Sequence, residues 1–137
     1  MTRWLPLAAL ALFVSGGASQ AMVLSCLPVG PKGQRNIEAF VDAYVPGDYP
    51  PKTLDSVSVI ARMGEDIYDY STEHTKLAEI RGDGLRIHLL QPLSAGATAE
   101  VRFEGTIAPK KGEPFALQMF VRNERRSAQG SVRCTIE

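Results

Sequence analysis

Hydrophobic and polar side chains alternate with a period of two from Leu85 to Ile107, broken once by a cluster of turn-forming residues. Leu85, Ile87 and Leu89 fall on one face, with Arg86 and His88 on the other. The run Gln91-Pro92-Leu93-Ser94-Ala95-Gly96 supplies the break, after which Ala99, Val101, Phe103 and Ile107 alternate with Thr98, Glu100, Arg102, Glu104 and Thr106. Strands with one face on a core and one in water read this way, and the pattern predicts a β-hairpin at the heart of an antiparallel sheet.

The same period recurs along the chain. Met22 to Val29 reads as a short strand carrying Cys26, ended by the proline- and glycine-rich Pro28-Val29-Gly30-Pro31-Lys32-Gly33. Ile37, Ala39, Val41, Ala43 and Val45 share one face, against Glu38, Phe40, Asp42 and Tyr44. A helix is conceivable there, but the β-branched residues and the period favour a strand. Pro46 to Pro51 is a loop, because its prolines cannot sit in a central strand. In the next strand, Ser56 to Met63, Val57, Val59, Ala61 and Met63 point inward, with Ser58, Ile60 and Arg62 outward. Lys76 to Arg81 follows, turning through Gly82-Asp83-Gly84 into the hairpin.

Beyond the exposed connection Ala108 to Pro114, Phe115, Leu117, Met119 and Val121 alternate with Ala116, Gln118, Phe120 and Arg122. Asn123 to Gly130 reads as a polar loop, and Ser131 to Glu137 closes the chain with Val132, Cys134 and Ile136 on one face. About eight short strands and no amphipathic helix predict an all-β fold, an antiparallel β-sandwich with a small closed β-barrel as the alternative. No cysteine–tryptophan–cysteine signature accompanies the strands, so any immunoglobulin-like character is one of architecture only.

The N-terminus changes the picture of where this domain works. A single charge at Arg3, an apolar run from Trp4 to Val14 and the small residues Ala18-Ser19-Gln20-Ala21 have the order of a secretory signal peptide over residues 1–21. The apolar run is shorter than the ~20 residues of a spanning helix. Cleavage after Ala21 leaves a single domain at 22–137, periplasmic or secreted, with no tryptophan because Trp4 is the only one. Cys26 and Cys134 are the only cysteines, and an even count in an exported chain predicts a disulfide between the first and last strands. Lipidation at Cys26 is the alternative, but Val23-Leu24-Ser25 places a bulky leucine where a small residue is wanted and would strand Cys134.

Charge excludes more than it suggests. Lys and Arg number 15 against 15 Asp and Glu, and removing Arg3 leaves one net negative charge, so neither nucleic acid nor membrane insertion after cleavage is expected. His74 and His88 are the whole histidine supply, too few for a histidine metal site or a nucleophile–base pair without convergent partners. His88 is expected on the outer face of its strand as a surface histidine. No nucleophile elbow and no glycine-rich phosphate loop is present. The carboxylates between Glu65 and Glu73 lack the spacing of a calcium loop, and a glycosidase pair would need a cleft to face across.

These absences predict a protein without catalysis, cofactor or metal, acting through contact with another exported or envelope protein. The stretch best suited to such contact is Glu65, Asp66, Tyr68, Asp69, Tyr70, Glu73 and His74, where tyrosines lie among acids as protein-binding surfaces favour. Inhibition of a basic exported enzyme would suit its sign. An ordinary strand with its tyrosines turned partly inward is the competing reading. Arg122, Arg125 and Arg126 form a group of opposite sign on a later loop. An accessory subunit of an envelope assembly, or a small hydrolase with a diffuse site, would be the alternatives.

Overall fold

The alternation becomes a ladder of antiparallel hairpins in the computed structural model, which describes residues 22–30, 36–47 and 53–137. Residues 1–21, expected to be a signal peptide, and parts of the two proline-rich segments expected to be loops lie outside the described residues. The strands are β1 (Met22–Pro28), β2 (Ile37–Val45), β3 (Asp55–Met63), β4 (Asp66–Tyr70), β5 (Thr75–Arg81), β6 (Gly84–Pro92), β7 (Thr98–Thr106), β8 (Phe115–Arg122) and β9 (Ser127–Ile136). One-turn 3₁₀ segments occupy Thr72–His74 and Ser94–Gly96.

All nine belong to one sheet in the order β4-β3-β2-β1-β9-β8-β7-β6-β5. Every strand pairs with its neighbour in sequence except across the β4–β5 connection, and the last strand returns to pair with the first. The two layers expected from the sequence are therefore produced by a single sheet curling until it is nearly closed. Its edges meet in part: Thr53 bridges Glu79, and the Leu54 N–H donates to the Ala78 carbonyl at 3.2 Å.

Curling works because every strand contributes apolar residues to the inner face. Leu24, Val41, Val59, Leu85, Ile87, Leu89, Val101, Phe103, Leu117, Met119, Val132 and Ile136 are all buried in one continuous core, joined by Tyr70. At ~25 cal/mol per Å² of apolar surface removed from water, this face is the main source of stability. Cys26 and Cys134 sit directly opposite each other in the β1–β9 register and form the expected disulfide, both sulfurs within the core. Val23 and Glu137 extend the seam with two further backbone hydrogen bonds, at 2.8 and 3.1 Å.

Three local differences from the sequence reading have physical causes. β9 starts at Ser127, because Ser127 to Ser131 pair with Gln118 to Arg122 of β8 although their small polar side chains have little strand preference of their own. β6 runs on through Gln91 and Pro92, which pair with Ala99 and Thr98, so the turn is confined to Leu93–Ala97. An extra residue on β3 opposite Asp42–Tyr44 makes a bulge, with Ser56 held at φ 48°.

The seam generates a stability prediction. The bridge closes a loop of 108 positions, and because it acts chiefly on the unfolded chain its removal should cost about 2–4 kcal/mol while the native sheet persists. Thermal melts of Cys26→Ala/Cys134→Ala are expected to show an unchanged native β signature and a midpoint lowered by on the order of 10 °C.

Candidate functional site

Met63 and Asp66 flank a two-residue turn in which Gly64 takes φ +65°, and this hairpin launches the acidic stretch as strand β4. Alternation along β4 sends Ile67 and Asp69 outward while Tyr68 is half-buried and Tyr70 fully buried. The Tyr70 ring lies 6.4 Å from Tyr68 and meets His74 edge-on at 6.0 Å. Burial pushes its phenol above the usual range, aided by the charges at Tyr68 and Glu100. His74 accepts the Ser71 N–H on Nδ1 at 2.9 Å, which fixes the 3₁₀ turn into β5. Glu65, Asp69 and Glu73 are exposed. Of the residues singled out in the sequence, the two tyrosines and His74 thus hold the strand and its exit in place, and three acids face water.

Asp66 does something else. Its carboxylate receives Arg125 Nη2 at 3.1 and 3.0 Å, Arg126 Nη2 at 2.9 Å and Asn123 Nδ2 at 3.1 Å. Asn123, the one buried polar or charged residue among those described, also donates to the Tyr68 hydroxyl at 2.7 Å and accepts the backbone N–H groups of Arg125 and Arg126 at 2.8 and 2.9 Å. Arg126 reaches on to the Met63 carbonyl at 3.2 Å. The β3–β4 turn is thereby tied to the β8–β9 turn, 57 positions away in sequence. The acidic stretch and the arginine loop, read separately in the sequence, are partners here, so Asp66 is already neutralised within the chain. Arg126 and Arg125 hold the Asp66 carboxyl below its ordinary value of 3.8, and Asp66 in turn raises Arg125.

The outer face of the β6–β9 half is polar and paired. His88 faces outward, but it is more than a solvated histidine: Nε2 lies 2.6 Å from Glu100 Oε2, and Arg122 bonds the other oxygen. Burial raises the Glu100 carboxyl, and the hydrogen bonds and charges of His88 and Arg122 outweigh it, leaving the carboxyl below its usual range. The Arg102 guanidinium lies over the Phe120 ring at 5.3 Å. Among the described residues no group of three or more His, Cys, Asp and Glu side chains is arranged to hold a metal.

The β1–β4 half differs. Among the described residues, every exposed large hydrophobic side chain lies on these four strands or just after β1: Val23, Leu27, Val29, Phe40, Tyr44, Ile60 and Ile67. Register brings them together, with Phe40 opposite Ile60 and Tyr44 opposite Val23. Phe40, Ile60 and Ile67 border a shallow groove with the Glu38–Arg62 ion pair, closed at 3.1 Å. Period two already placed Phe40, Tyr44 and Ile60 outward. What the sequence lacked was the strand order that makes neighbours of them.

The Asp66 cluster predicts an acid-sensitive contribution to stability. Because the folded carboxyl titrates below 3.8, the stabilisation is complete above the unfolded value and lost as pH falls through the folded one. Urea unfolding of Asp66→Asn between pH 2 and 7 is expected to show a flatter acid limb than the parent. Asn123→Ala, which strips a buried residue of four side-chain hydrogen bonds, should cost about 1–3 kcal/mol at every pH.

Protein-family models, curated proteins and solved structures provide no match to this chain, so its function is read from the surface itself.

Proposed function

We propose that this protein is an exported, non-catalytic binding module that engages another exported or envelope protein through the outer face of β1–β4. The observation that carries the reading is the gathering of Val23, Leu27, Phe40, Tyr44, Ile60 and Ile67 on one half of the sheet while the other half is polar. Grouped exposed apolar side chains are typical of contact surfaces, and here Leu27, Phe40, Ile60 and Ile67 form one group and Val23 and Tyr44 a second, with the polar row Ser25, Asp42 and Ser58 between them. Glu65, Asp69 and Glu73 lie along one margin of the patch and give it an acidic rim. Such a rim steers a basic partner, which keeps inhibition of a basic exported enzyme within the proposal.

Two further features favour this reading over a hydrolase. The core is filled by side chains, and the groups a diffuse catalytic site would draw on are engaged with their own chain, His74 with Ser71 and Asp66 with two arginines. The disulfide is consistent with an oxidising, exported compartment.

A photo-crosslinking amino acid at position 60, compared with one at position 86 on the opposite outer face, tests the proposal in the native host. Adducts to another protein from position 60 and none from position 86 are expected. Phe40→Ser/Ile60→Ser should weaken the same contact by ~10-fold or more, as loss of apolar anchors does. Absence of adducts at position 60, or equal adducts at both, would overturn the assignment.

A further inference from the structure

We propose that the outer edge of β4 accepts an extended segment of the partner as an added strand, carrying an apolar side chain opposite Ile67, a basic side chain opposite Asp69 and a second basic side chain that reaches Glu65 in the turn before β4. The inference rests on the binding-module reading and names the chemistry of what is bound.

Residues flanking a two-residue turn exchange both hydrogen bonds, so Met63 and Asp66 form such a pair, and the antiparallel alternation repeats it at Ala61–Tyr68 and Val59–Tyr70. The peptide groups of Ile67 and Asp69 therefore point away from β3, out of the sheet. One of them is in use: the Gln91 side-chain amide donates to the Asp69 carbonyl at 2.6 Å. That amide comes from β6, which approaches β4 here, so an added strand displaces it from the Asp69 carbonyl. Among the described residues the Ile67 N–H, the Ile67 carbonyl and the Asp69 N–H have no hydrogen-bond partner.

The opposite edge of the sheet is treated differently. Thr53 and Leu54 cover part of β5, which also carries Lys76 and Arg81. Lysine, proline, bulges and covering segments are the usual protections of an edge. β4, reading Asp66-Ile67-Tyr68-Asp69-Tyr70, has none of the first three, and Ile67 is 64% exposed.

Charge and register select the occupant. A second copy pairing antiparallel through β4 has two in-plane choices. Centred on Ile67 it sets Glu65 against Asp69 of the other copy, and centred on Tyr68 it sets Ile67 against Asp69. Like charges directly opposite destabilise a pair, and an aliphatic side chain gains nothing from a carboxylate. A heterologous strand reading basic-x-apolar-x-basic sets its apolar residue against Ile67 and one basic residue against Asp69, and its other basic residue reaches Glu65 in the turn before β4. Lying ~4.8 Å from β4, it brings the rest of the partner beside Ile60 and Phe40.

The probe is the acetylated, amidated peptide Thr-Lys-Thr-Val-Thr-Lys-Thr, titrated into the full mature protein beside an analogue with glutamate in place of both lysines. The lysine peptide is expected to bind at least ~10-fold more tightly, with amide shifts concentrated at Ile67 and Asp69. Ile67→Pro removes an outward N–H without touching the β3 ladder, a substitution edge strands tolerate. It should abolish binding while the melting curve stays cooperative. Glu65→Lys/Asp69→Lys leaves the backbone intact and should reverse the preference toward the glutamate peptide. Equal affinity for the two peptides, or binding that survives Ile67→Pro, would overturn strand addition. Crosslinks at position 60 that persist in Ile67→Pro would overturn it while leaving the contact face standing. Loss of those crosslinks from the parent protein would overturn the face beneath it.

Discussion

The pairing of the first strand with the last is the constraint on which the rest of this structure depends. A meander of sequential hairpins is an open ribbon, with one face apolar and two edges. When β9 returns to β1, the ribbon becomes a curled sheet whose inner face is removed from water along its whole length. The disulfide is placed at that return, directly across the register, where it ties down the most non-local contact in the fold. Closure entropy for so long a loop is a substantial barrier to an uncrosslinked chain, and covalent linkage moves that cost to the oxidative step.

Closing the sheet at its termini leaves the discontinuity elsewhere. The chain crosses from β4 to β5 through one short turn without pairing them, and this is the only sequence-adjacent pair of strands left unpaired. The Asp66–Asn123–Arg125–Arg126 cluster compensates at one end by tying the β3–β4 turn to the β8–β9 turn. Its members are partly exposed apart from Asn123, so its ion pairs count for less than the hydrogen bonds of the buried amide. It positions β4 as well as adding to the stability of the fold. A strand held at its start by such a cluster and at its end by buried Tyr70 keeps a defined edge in between.

How much of this was legible in the sequence follows from the range of each interaction. Period-two alternation located the inner face of nearly every strand, because it depends only on residues two apart. It failed for Ser127 to Gly130, read as loop, whose pairing is imposed by β8. The cysteine count gave the bridge, since only one pairing exists. Candidate residues fared unevenly. Tyr68 and Asp66 were noticed for their chemistry, which is spent on Asn123 and two arginines of the same chain, while Tyr70 serves as a core side chain. Asn123 gave no signal, being an ordinary loop residue until Tyr68 and Asp66 are brought 55 and 57 positions to meet it. Phe40 and Ile60 were visible as outward apolar residues while Ile67 was given no face, and only strand order turns the three separate positions into a surface.

The account thus divides the sheet into a seam that is closed and an edge that is open, and assigns the open edge and the apolar face beside it to recognition. Residue-resolved native-state hydrogen exchange of the oxidised protein without a partner tests that division most directly. The account predicts that hydrogen-bonded β1 and β9 amides exchange only through global unfolding, while the Ile67 and Asp69 amides exchange fastest among strand residues. Protection at Ile67 and Asp69 equal to that of β1 and β9, or opening of the β1–β9 seam below the global free energy, would contradict it.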